Sequence, residues 1–216
     1  MSTLTQPALD LLKAYEGTPY FNNSRERMRM GLRAQVGKGT PEEIAEEAQL
    51  AAFREHIDLA VLTPEMRKKF LVDHKFGIDC SGFAYHILDT ESKARGLGPL
   101  HKHITFAYSN DFAHRLGRWL RRRYVENADV KTFAHTSNSH DVSLDELAPG
   151  DFFVRLESPR DHMILVTAVE GTEITLAQSE ARPSEGRYGH GVRIETFPLS
   201  DLPARSLSNG HRLNCF

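Results

Sequence analysis

The hydrophobic positions predict helices in the first two thirds of the chain and strands in the last third. Phe83, Ala84, Ile87 and Leu88 fall three, four, seven and eight positions after Cys80, the spacing of one helix face. This predicts a short, half-buried helix opening at Cys80, with Gly77 and Asp79 marking the turn into it. Ala8, Leu9, Leu11, Leu12 and Tyr15 predict an amphipathic helix over 7–15 that ends at Gly17. Thr40-Pro41-Glu42-Glu43 spells a capping box, opening a helix that runs through Ile44, Ala48 and Phe53 toward Val61. Thr63-Pro64-Glu65-Met66 opens another, and Phe112, Leu116, Trp119 and Leu120 mark one over 110–124. Between Thr90 and His103 glycines and a proline indicate loops. From Val142 onward the period changes to that of strands. The apolar run from Met163 to Val169 predicts a buried central strand with His162 at its mouth. Val169-Glu170-Gly171 reads as a three-residue hairpin loop, and 172–178 as the returning strand. If Ala168 pairs with Thr172, His162 stands directly opposite Gln178, about 5 Å away on the same face. Residues 191–197 and 211–216 supply two further strands, and the polar 182–191 loop borders the same end as Gln178.

The 216 residues suit one domain with a full core, or one domain with an insertion. With 40% hydrophobic residues, 26% charged residues and a net charge of −2, the composition is that of a globular chain. No basic excess supports nucleic-acid binding, and the arginines between 115 and 123 read as a solvated helix face. No apolar run approaches the roughly 20 residues of a membrane span. The first seven residues lack the basic and apolar regions of a secretory signal, so a cytoplasmic chain is expected as synthesised. Export would then need a dedicated secretion system. Only two cysteines are present, Cys80 and Cys215. In a reducing compartment a bridge between them is not expected, and Cys215 reads as a core or terminal-strand residue. The histidines His101, His103, His135, His140 and His190 lack metal-ligand spacing, and neither a metal nor an organic cofactor is expected.

Most lone cysteines are buried core residues. Cys80 differs in its flanks, since Asp79 and Ser81 are polar and the apolar face begins only at Phe83. A helix N-terminus carries unpaired amides and partial positive charge, which favours thiolate and can receive an oxyanion. Those features make Cys80 a candidate nucleophile, with His162 as its base. Gln178 can orient the imidazole so that its other nitrogen faces the sulfur, and Glu180 is the second choice for that role.

Asp79-Cys80-Ser81-Gly82-Phe83 resembles the nucleophile motif of the NlpC-type cysteine peptidases, a papain-like family related to the CHAP amidases. Pro149-Gly150-Asp151 resembles the block that introduces the histidine strand in that family, and Gly17-Thr18-Pro19-Tyr20 the segment that lines its cleft. The likeness covers roughly 8–23 and 76–216. It implies a single α+β papain-like domain over 1–216, with the nucleophile helix packed on an antiparallel sheet. It also implies a substrate- or oxyanion-binding role for Tyr20, alongside Asp79 and Ser81. The activity implied is that of a thiol hydrolase cutting an amide in peptidoglycan stem peptides, of the γ-D-glutamyl–diamino acid type. Its partner would be a peptide or muropeptide.

The chain departs from the family at three places. Asn22-Asn23 replaces a glycine pair, and Ile164 stands where the family has glycine two residues after the histidine, which narrows the cleft. Residues 24–75 have no counterpart and form a mostly helical insertion, either a specificity lid or a peripheral cap. Two rival readings stand beside the peptidase. One keeps the Cys-His pair for a transferase, deamidase or thioesterase acting on a protein or lipid. The other is a binding module whose cleft has lost activity.

Overall fold

The capping box at Thr40 forms as its residues dictate. In the computed structural model the Thr40 hydroxyl accepts from the Glu43 amide at 3.2 Å, and the Glu43 carboxylate accepts from the Thr40 amide at 2.9 Å. The structure describes residues 2–23, 32–106, 123–156, 161–205, 207 and 209–216. The predicted 110–124 helix, with its Arg115, Arg118, Arg121 and Arg122, lies almost wholly outside them. Helices α1 (Gln6–Ala14), α2 (Arg33–Val36), α3 (Pro41–Arg54), α4 (Pro64–Asp73), α5 (Cys80–Ala94) and α6 (Val130–Ala134) are found among the described residues.

Two predicted boundaries move. Helix α3 stops at Arg54 rather than near Val61, because His56 turns left-handed and Asp58 caps a separate short turn, Leu59–Val61. Helix α5 runs past Thr90 to Ala94, through a stretch expected to be loop. Glu91 explains the extension. Its buried carboxylate accepts from the Thr5 amide at 2.9 Å and the Thr5 hydroxyl at 2.6 Å, and pairs with Arg95 one turn on at 2.8 Å. Glu91 therefore caps α1 from α5, since Thr5 makes no cap with its own side chain.

Among the described residues seven strands form one sheet: β1 (Ser2–Thr3), β2 (Ser139–Val142), β3 (Phe152–Arg155), β4 (His162–Glu170), β5 (Glu173–Glu180), β6 (Gly191–Pro198) and β7 (Gly210–Leu213). Their order is β2-β7-β3-β4-β5-β6, with β1 beside β4, and every pairing is antiparallel. The fold is α+β. One core lies between the helices and the sheet, where Phe83, Ile87 and Leu88 of α5 meet Met163, Leu165 and Ala177. A second core covers the other face with Ile164, Val166, Ile174, Leu176 and Phe197.

The β4–β5 hairpin differs from the sequence reading. Its loop is two residues, Gly171 and Thr172, with Glu170 opposite Glu173 and Ala168 opposite Thr175. At Thr167 the register slips by one, leaving Leu165 opposite Ala177. A one-residue slip exchanges the two faces of a strand. Without it, Ser179 would share the face of His162; with it, Gln178 does.

Candidate active site

The turn into α5 is held from every side. Gly77-Ile78-Asp79 carries the chain to Cys80, and Ile78 donates to the Pro19 carbonyl at 3.0 Å. The Ile78 carbonyl accepts from the Phe21 amide at 3.2 Å and from the Ser179 hydroxyl at 2.8 Å. The strip that includes Tyr20 and the strand that carries Gln178 are both tied to this turn. A side chain at position 77 would meet the Pro19 oxygen at 2.4 Å, so only glycine fits. Asp79 caps the helix, accepting from the Gly82 amide at 2.7 Å.

Beneath the cap lies a fully buried lysine that the sequence pattern does not reveal. Lys38 donates through Nζ to Asp79 Oδ1 at 3.0 Å, to Ser81 Oγ at 2.7 Å and to the Ala128 carbonyl at 3.0 Å. Asp79 and Ser81 were expected to face substrate. Their side chains are instead buried against Lys38, and Ser81 Oγ donates back to Asp79 Oδ1 at 3.1 Å. A lone buried carboxylate is costly, so the cation compensates it. This also corrects the expected half-buried helix, because the whole first turn of α5 is enclosed. The Gly37-Lys38 stretch comes from the 24–75 segment, which supplies part of the foundation of the turn into α5. Tyr20 lies alongside, bridged through its backbone to Ile78 and half-exposed.

The Cys80 sulfur sits at the end of the sheet against the chain flanking His162. Its thiol donates to the Asp161 carbonyl at 4.0 Å, and the amides of Met163 and Ser81 are aimed at the sulfur. His162 Nε2 is 2.7 Å from Gln178 Oε1, so the base and orienter expected from sequence are brought together. The pairing is diagonal rather than directly opposite, a consequence of the altered register. Among the described residues no hydrogen bond joins Cys80 to His162. Met163 and Leu165 turn into the core beneath α5, and His162 shares the opposite phase with Ile164 and Val166. Cysteine and histidine therefore approach the sheet from opposite sides, and the sulfur meets the main chain of Asp161 and Met163, on either side of His162. Glu180, the second choice, is engaged with Arg182.

The electrostatics differ from the expected thiolate. Burial and then the Asp79 carboxylate push the Cys80 thiol up to about 11, against the pull of Lys38 and the two amides. Only 5% of Cys80 is exposed, so desolvation outweighs the helix N-terminus. Burial lowers the His162 pKa, an effect opposed by the Gln178 hydrogen bond and Glu180 and reinforced by Arg155. At neutral pH the two are a thiol and a neutral imidazole. Both cysteines are free thiols, Cys80 buried and Cys215 half-buried. Among the described residues no three His, Cys, Asp or Glu side chains gather as metal ligands, and no helix is long and apolar enough to cross a membrane.

Fold and site together define an α+β protein with a cysteine at a helix N-terminus beside a histidine–glutamine pair. Comparison with protein-family models, curated proteins and solved structures returns no match, so the NlpC-type resemblance rests on this chain's own residues.

Proposed function

We propose that the chain is a cysteine hydrolase that cleaves an amide by acyl transfer, with Cys80 as nucleophile, His162 as base and Gln178 as orienter. One observation carries this reading: the Cys80 sulfur lies 4.0 Å from the carbonyl of Asp161, next to a His162 held at 2.7 Å by Gln178. An amide oxygen only accepts, so Nε2 bears the proton and Nδ1 keeps its lone pair. Nδ1 is therefore the ring nitrogen left to take a proton. As the sulfur attacks the substrate carbonyl, the thiol proton passes to Nδ1. The first-turn amides of α5 receive the oxyanion. Nδ1 then returns the proton to the leaving amine as the C–N bond breaks. Water, deprotonated by the same nitrogen, cleaves the thioester and frees the carboxylate.

The substrate proposed is a peptidoglycan stem peptide, on the strength of the motif around Cys80 and the Pro149-Gly150-Asp151 block. Mass spectrometry of defined muropeptides tests it. The wild-type chain gives one amide-cleaved product and Cys80→Ala gives none. Equal products from both, or none from either, end the proposal. The enclosed, protonated sulfur favours a second reading, a binding module with an idle cysteine. In that case iodoacetamide alkylates Cys80 no faster at neutral pH than it does a free thiol.

A further inference from the structure

On the face of the sheet that carries His162 and Gln178 lies a cavity of about 260 Å³. Ile164, Leu176, Phe197 and Leu207 supply its apolar lining, and Gln178, Arg155 and Arg205 line it as well. Glu180 and Glu195 also reach it, but both are paired with Arg182. The other two guanidinium groups are not so matched. Arg155 donates through Nη2 to the Arg205 main-chain carbonyl at 3.0 Å, while its buried Nε has no partner. Arg205 lies over the Phe197 ring, 4.1 Å from its centre. Neither arginine has a carboxylate partner among the described residues.

A guanidinium without a carboxylate partner at the wall of a cavity keeps its charge and its spare N–H donors for an acceptor that enters. A guanidinium presents its donors as a planar fork that matches a carboxylate. The apolar part of the lining suits a hydrocarbon stem. We infer that this cavity is a carboxylate-binding site for an acidic group carried on a short apolar stem. Arg155 is the cross-strand partner of His162, and Gln178 belongs both to the cavity and to the base. A carboxylate bound here lies against Gln178, the partner of the imidazole, and holds a substrate by its acidic end. That last role rests on the hydrolase reading; binding of the carboxylate does not.

The test is a titration of the isotope-labelled full chain with 4-methylpentanoate and, separately, with its neutral amide, followed by nuclear magnetic resonance at Ile164 and Leu176. The acid produces saturable shifts, and the amide binds at least tenfold more weakly. Arg155→Met weakens the acid at least tenfold, and Arg205→Met, at an exposed position that leaves the fold undisturbed, weakens it measurably. Cys80→Ala binds the acid as the wild type does, so a failed hydrolase assay leaves this result standing. Equal affinity for acid and amide, or acid binding unchanged in both arginine variants, overturns the site.

Discussion

Cys80 and His162 are both uncharged at neutral pH, which separates them from the thiolate–imidazolium pair that a helix N-terminus alone suggests. Burial governs both groups, raising the thiol to about 11 and lowering the imidazole. On the proposed mechanism the nucleophile is generated only as His162 takes its proton, and its reactivity depends on that residue rather than on a standing thiolate. Replacing His162 with alanine should slow alkylation of Cys80 at pH 7 by about 10²–10⁴-fold, the usual worth of a positioned base. The variant's rate should keep climbing as pH rises toward 11, where the unaided thiol ionises. Intact-mass kinetics with iodoacetamide across pH 6–11 measure both, and equal rates at pH 7 remove His162 from the base role. Lys38 poses a different question. Lys38→Met removes the cation from a buried pair and should cost about 3–5 kcal/mol in urea unfolding. A loss below about 1 kcal/mol would mean that Ser81 and the Gly82 amide suffice for Asp79.

Among the elements, the link between Gly37 and the turn into α5 is the most exacting. Gly37 is left-handed at φ 78°, its carbonyl accepts from the Asp79 amide at 2.9 Å, and an added Cβ would stand 2.1 Å from the Phe21 oxygen. Gly37→Ala should lose about 1–3 kcal/mol from the backbone conformation alone and more from the clash, read as a lowered melting temperature. It should also slow Cys80 alkylation, because the strip carrying Tyr20 must shift. A variant with wild-type melting and alkylation would show that the two segments are not coupled. The caps at Thr40 and Thr63 were legible because they act over three residues, and Cys80 because its helix face repeats at 3.6. The His162–Gln178 contact was legible for a subtler reason. The loop is shorter than read and the Thr167 bulge undoes part of the difference, leaving a net slip of two residues, which preserves the face. Lys38 was not legible. It meets Asp79 across 41 positions, and Gly37-Lys38-Gly39 spells a loop with no period to read. Arg155 was hidden in the same way, since only the β3–β4 register places it across from His162.

Taken as a whole, the molecule holds several histidines in their neutral form, and this fixes how its stability depends on pH. His86 donates from Nε2 to the Lys38 carbonyl at 3.0 Å and lies against Tyr15 and Tyr85, and burial lowers its pKa below 6.5. Burial lowers His101, His162 and His211 as well. For such a group the unfolded chain binds protons more readily than the folded one below the unfolded pKa of about 6.5. Its contribution is therefore complete above that value and is lost as pH falls through the folded pKa. His74 runs the other way, because its Glu55 and Phe70 bonds overcome burial and raise it. It is the minority. Cys80 limits the alkaline side: burial lifts its folded pKa to about 11 from an ordinary 9.0, so its contribution holds below 9 and fades toward 11. Stability should be highest between about pH 7 and 9 and fall on both sides. Urea midpoints measured from pH 5 to 11 check the shape. His86→Gln should flatten the acid limb and Cys80→Ala the alkaline one, each leaving the other in place. An acid limb unchanged in His86→Gln would assign it to the other lowered histidines, His101, His162 and His211, instead.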